Sequence, residues 1–260
     1  MDPAQDFHHL KALLEWQVEL GADEAIGDAP VNRYELPEKR PAARPVADAQ
    51  APAGPAAKAE VDPVVAARQA AARADSLAAL HAEMEGFAHC DLRLGARNLV
   101  FADGNPAARV MIVGEAPGRD EDREGRPFVG RAGQLLDRMF AAIDMGRGHA
   151  DSAQALYITN ILPWRPPQNR DPTLAEMNMM LPFVKRHIEL AAPEIVVLMG
   201  NIACQALIGQ RGITRLRGKW VEVQGRPALP MVHPAGLLRN PIMKREAWAD
   251  LLALKARLEG

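Results

Sequence analysis

The stretch VMIVGEAPGRDEDREGRPFVG, residues 110–130, joins two kinds of sequence. Val110–Val113 is a short apolar run. The loop after it packs glycines, prolines and five acidic residues around a single phenylalanine, Phe128. The run reads as a strand, and the glycines mark its end. A phosphate-binding loop also follows a strand, but this one lacks Gly-Lys-Ser/Thr and the dinucleotide spacing, and its acids would repel phosphate. Two readings of the loop stay open. Glu115 and Glu121, with Asp120 and Asp122, can polarise a water in a polar crevice, or they form a solvated acidic turn. Phe128 either anchors the loop to the core or stacks on a ligand.

Working outward, the strand is expected over Arg109–Val113, with further strands at Leu156–Thr159, Ile195–Met199 and Leu229–Val232. Between them lie amphipathic stretches, Gly133–Ile143, Thr173–Leu190 and Ile202–Ile208, which read as helices. Strands alternating with helices give βαβ units and a parallel sheet, hence an α/β fold. Each strand ends in polar punctuation: Gly114-Glu115, Asn160, Gly200-Asn201 and His233-Pro234. Ligands of open α/β sheets bind beyond the carboxyl ends of the strands. Glu115, Asn160 and His233 are therefore expected to meet in one crevice. Taken alone, His233-Pro234 can simply cap a strand and Asn160 can bond backbone.

Upstream, residues 4–20 read as an amphipathic helix within an N-terminal segment, 1–27. Residues 28–61 are rich in Pro and Ala without a period, as in a flexible linker. Asp62-Pro63 starts a helix expected to run to about Glu85, opening a domain over 62–260. The chain of 260 residues carries a net charge of −2. Residues 1–62 hold 12 of the 33 acidic and 6 of the 31 basic side chains, so the remainder is net positive by 4. That balance permits phosphate contact. No apolar run approaches a membrane span, and the acidic N-terminus has no signal core. With two cysteines, Cys90 and Cys204, neither a disulfide framework nor a four-cysteine metal site is indicated. A reduced, cytoplasmic protein is expected.

Three motifs, GEAPGRDEDREGRPFVGRAGQLLD (114–137), YITNILPWRPPQNRDP (157–172) and HPAGLLRNP (233–241), resemble the uracil-DNA glycosylase superfamily, above all its iron–sulfur family 4 branch. The resemblance runs from about residue 86 to residue 258. It implies a three-layer α/β/α fold around a mostly parallel four-stranded sheet, and hydrolysis of deoxyuridine's N-glycosidic bond in DNA. It further implies Glu115, Glu121 and His233 as catalytic groups and Ala116, Phe128 and Asn160 as the uracil pocket. DNA would be held by Arg165, Asn169, Arg170 and Arg239, with Leu237 and Leu238 as the wedge that fills the vacated stack. Both leucines can instead be buried helix residues. An inactive DNA-binding domain on the same fold is the alternative, and a small-molecule nucleotide hydrolase a third.

The sequence departs from the branch where it matters for a cofactor. The four cluster cysteines fall at Phe87, Cys90, Trp164 and Met180, and neither Trp nor Met can supply a thiolate. The 4Fe-4S cluster is expected to be absent, with apolar packing in its place. Gly236 stands where many relatives carry tyrosine, and Asp122–Gly125 lacks the basic insert of a sister group that captures DNA covalently. Turnover is therefore expected. The implied partner is uracil-containing DNA, bound by a monomer, with residues 1–62 free for a repair or replication partner.

Overall fold

The computed structural model describes residues 62–260. The segments expected at 1–27 and 28–61 lie outside the described residues. In chain order come α1 (Pro63–Arg73), α2 (Leu77–Glu85), α3 (Leu92–Gly95), β1 (Asp103–Gly104), β2 (Val110–Gly114), α4 (Arg119–Glu124), α5 (Arg131–Ala141) and β3 (Leu156–Asn160). Then follow α6 (Leu174–Ala191), β4 (Ile195–Met199), α7 (Gly200–Ile208), α8 (Ile213–Leu216), β5 (Val221–Val223), β6 (Arg226–Met231), α9 (Pro234–Arg239) and α10 (Lys244–Glu259).

The sheet has six strands in the order β1-β3-β2-β4-β6-β5. Its middle four are parallel, at the places expected from the apolar runs. The correction is at the edges, where β1 and β5 add antiparallel strands too short to leave an apolar run. Alternation along each strand builds the layers. On β2, Met111 and Val113 enter one core while Val110 and Ile112 enter the other. The first core is closed by α1, α2, α6 and α7, through residues such as Ala67, Leu80, Phe183 and Ile202. The second is closed by α5 and α10, through Leu136, Phe140, Leu251 and Leu254. Residues of β2, β3 and β4 are buried throughout, as a parallel sheet covered on both faces requires.

Local chemistry sets the helix ends. The Asp62 carboxylate accepts the Val64 N–H (2.8 Å) ahead of Pro63 at the first helical position. Ser76 accepts from Ala79 in the same way (3.2 Å), so the single helix expected from 62 to 85 is two, separated by the extended Ala74. Thr173 and Glu176 form a reciprocal capping box on α6. No helix among the described residues is long and apolar enough to cross a membrane.

Met180 and Phe183 of α6 are completely buried against the N-terminal helices. Removing the Met180 side chain leaves a cavity, and Met180→Ala should cost about 2–5 kcal/mol in a denaturant titration. A change within about 0.5 kcal/mol, as at a surface site, would contradict this packing.

Candidate active site

The β2–β3 register sets Gly114 directly beside Asn160. Pairing continues past the strand ends, with Ile161 N–H donating to the Gly114 carbonyl and Leu162 N–H to that of Glu115, each at 3.0 Å. Glu115 and Asn160 are thus fixed on adjacent chains at the carboxyl edge of the sheet. Asn160 is buried at the end of β3.

Phe128 closes the other side. It is buried, and its ring stacks on that of His233 with centroids 5.4 Å apart at 29°. Two glycines allow this. A Cβ on Gly114 would run into Asn160 Oδ1 and the Phe128 ring, and one on Gly133 into the Phe128 carbonyl oxygen. The Phe128 backbone is left-handed, with φ 55°, a conformation that costs a bulky residue about 1–3 kcal/mol.

Glu121 has a different task from the catalytic one expected of it. Its carboxylate accepts the N–H groups of Gly118 (3.1 Å), Val129 (3.0 Å) and Gly130 (2.9 Å). Both oxygens are used to fold the loop, which leaves Glu121 as a support for Phe128. Asp122 similarly accepts from the N–H of Arg97 at 2.8 Å.

His233 ends the last parallel strand segment and caps α9. Its Nδ1 accepts the Ala235 N–H at 3.1 Å. An accepting Nδ1 carries no proton, so the neutral ring holds its proton on Nε2. Burial, helped by the Arg239 charge, lowers its pKa to about 4. Glu115 moves the opposite way. Burial, reinforced by the Asp171 carboxylate and partly offset by Arg211 and Arg239, raises its pKa to about 7. Arg211 escapes a motif-based reading because it follows α7 outside the three motifs. Ala116 lies half-buried between Glu115 and Pro117.

The expected DNA rim divides. Leu238, Arg239 and Asn169 are exposed, and Arg165 Nε donates to Asn169 Oδ1 at 2.7 Å. Leu237 is fully buried among Leu135, Val232 and Ala247, so it cannot serve as a wedge. Its neighbour Leu238 alone faces outward. Arg170 is held by both oxygens of Glu176 (2.9 and 2.6 Å), which lowers the Glu176 pKa to about 2. Its guanidinium therefore fastens the loop to the cap of α6. A cavity of about 660 Å³ between α1 and α6 is lined by none of Glu115, Phe128, Asn160 or His233.

Phe87, Cys90, Trp164 and Met180, the positions of the family's cluster cysteines, are all buried in one apolar core. Phe87 packs edge-on against Phe183 at 5.1 Å. Burial pushes the Cys90 thiol above its usual range. Among the described residues, no group of three or more His, Cys, Asp or Glu could hold a metal ion. One thiol and three apolar side chains do not fit an iron–sulfur cluster.

The sequence that sets this carboxylate, amide, ring and imidazole at the carboxyl edge of the sheet matches one family model. That model, the Uracil DNA glycosylase superfamily, covers residues 101–252, and the chain belongs to this superfamily. A type-4 uracil-DNA glycosylase of Archaeoglobus fulgidus is 39% identical over 170 residues, 62% of this chain and 82% of that protein. A type-4 enzyme of Thermotoga maritima is 37% identical over 154 residues, 58% of this chain and 77% of that protein. A DNA polymerase of Bacillus phage SP01 is 34% identical over 157 residues, 60% of this chain but 16% of its own length.

Gly114→Ala should slow cleavage strongly while the fold survives, because the methyl group would displace both the Phe128 ring and the Asn160 amide. A displacement of this kind costs about a hundredfold in rate. A folded Gly114→Ala protein of full activity would show that ring and amide do not need their close approach.

Proposed function

We propose that this chain is a uracil-DNA glycosylase, which hydrolyses the N-glycosidic bond of deoxyuridine in DNA and leaves an abasic site. The observation that carries this reading is the meeting of Glu115, Phe128, Asn160 and His233 at one edge of the sheet. A base in a duplex must be extruded to be cut. The Phe128 ring offers it a stacking face, and the Asn160 amide both donates to uracil O4 and accepts from N3–H. The intact set of four favours an enzyme over an inactive DNA-binding domain.

As the glycosidic bond breaks, positive charge grows on the sugar and negative charge on the uracil. His233 Nε2–H donates to uracil O2 as that anion forms. Because its pKa is about 4, the ring acts as a neutral donor across the working range. The Glu115 carboxylate orients the attacking water and offsets the charge on the sugar. Leu238 fills the gap left by the base, and Arg165, Asn169 and Arg239 hold the backbone. Residues 1–62 are dispensable for this chemistry, since every group named lies beyond residue 110. We place the protein in the cytoplasm, acting as a monomer, with any repair or replication partner on residues 1–62.

The acid–base assignment has a definite sign. Glu115 acts as a carboxylate, so cleavage should rise with pH and level off above an inflection near the Glu115 pKa of about 7. Stability should move the other way. The folded state holds the Glu115 proton more tightly than the unfolded chain, so this group's contribution falls as pH rises from its ordinary 4.5 towards 7. Single-turnover cleavage of a uracil-containing oligonucleotide, followed by alkali, reads the first effect. Glu115→Gln should lower the plateau by about a hundredfold or more and flatten the profile. No cleavage by the unaltered protein would refute the function, and an unchanged profile in Glu115→Gln would remove Glu115 from the chemistry.

We also propose that the domain works without an iron–sulfur cluster, with Phe87, Trp164 and Met180 replacing it by packing. The purified protein should be colourless and hold no stoichiometric iron. A broad visible absorbance band with bound iron would overturn this proposal.

A further inference from the structure

Arg147 lies in the connection between α5 and β3, outside all three motifs. Its guanidinium is the centre of a small network. Nη1 donates to the Pro127 carbonyl at 2.8 Å and Nη2 to the Phe128 carbonyl at 2.9 Å. Nη1 also meets Asp103 Oδ2 at 2.8 Å, and both Nε and Nη2 meet Asp137 Oδ1 at 2.9 Å. The side chain is 16% exposed. A rigid planar fork with several donors can satisfy this set, whereas a single ammonium cannot.

The two carbonyls explain what the network does. They belong to the residues that carry the loop through the left-handed turn at Phe128 (φ 55°). By drawing both oxygens to one side, Arg147 turns the ring to the other, toward Gly114, Asn160 and His233. Asp103 and Asp137 anchor the guanidinium to β1 and α5, so the loop is braced against rigid elements. We propose that Arg147 is a positioning residue for uracil excision, one that acts on the base solely through the Phe128 ring. This rests on the glycosylase reading above.

A double-mutant cycle tests it, with single-turnover excision from a uracil-containing oligonucleotide and DNA affinity measured side by side. Arg147→Met should slow excision by about a hundredfold, the scale of a small misplacement of a catalytic contact, and leave the DNA Kd unchanged. Phe128→Leu removes the stacking face. If Arg147 works through that face, adding Arg147→Met to Phe128→Leu should cost little more, because the two losses are not independent. Arg147→Lys should recover part of the rate by reaching one carbonyl. If Arg147→Met fails to fold in a thermal melt, Arg147→Lys takes its place in the cycle. Losses that multiply in the double variant, or a folded Arg147→Met of full activity, would overturn the proposal. An inactive unaltered protein would instead count against the glycosylase reading itself.

Discussion

The Phe128 ring and the Asn160 amide both fill the space that a side chain at residue 114 would occupy. That close approach governs the rest of the site. It needs β2 and β3 side by side in parallel register, which sets Gly114 against Asn160. It also needs the following loop to double back, which it does through a left-handed Phe128 packed on Gly133. The acids that make the loop conspicuous serve mainly this fold. Glu121 and Asp122 bind backbone N–H groups.

Electrostatics distinguishes two titratable groups beyond the carboxyl ends of two parallel strands. Burial acts on both, but it raises the acid and lowers the base. Glu115 is poised to change charge near neutrality, while His233 stays neutral with its tautomer fixed by the Ala235 N–H. Environments that push two pKa values apart in this way are how one site assigns its roles. The arginines nearby tune Glu115 without pairing it away, because their charges only partly offset its burial.

Much of this was legible in the sequence, for a physical reason. A strand buried on both faces is an unbroken apolar run, and the polar residue that ends it lies where ligands bind. Glu115, Asn160 and His233 could be named on that basis. The edge strands could not, since two or three residues leave no period. Leu237 and Leu238 are identical in type and adjacent, so only the direction of α9 separates the buried one from the exposed one. Arg147 and Gly133 act on backbone carbonyls, and no pattern of residue types announces such contacts. Arg170 looked free for phosphate because its partner, Glu176, also caps a helix.

The central claim is that Asn160 and a neutral His233 together receive uracil at the sheet edge. Nitrogen-15 NMR of the imidazole and the side-chain amide, with free uracil and then cytosine added near neutral pH, tests it most directly. The expected result is a neutral His233 protonated at Nε2. Its N–H signal and that of the Asn160 amide should shift with uracil and stay still with cytosine. A His233 protonated on both nitrogens, or uracil that moves neither signal, would contradict the claim.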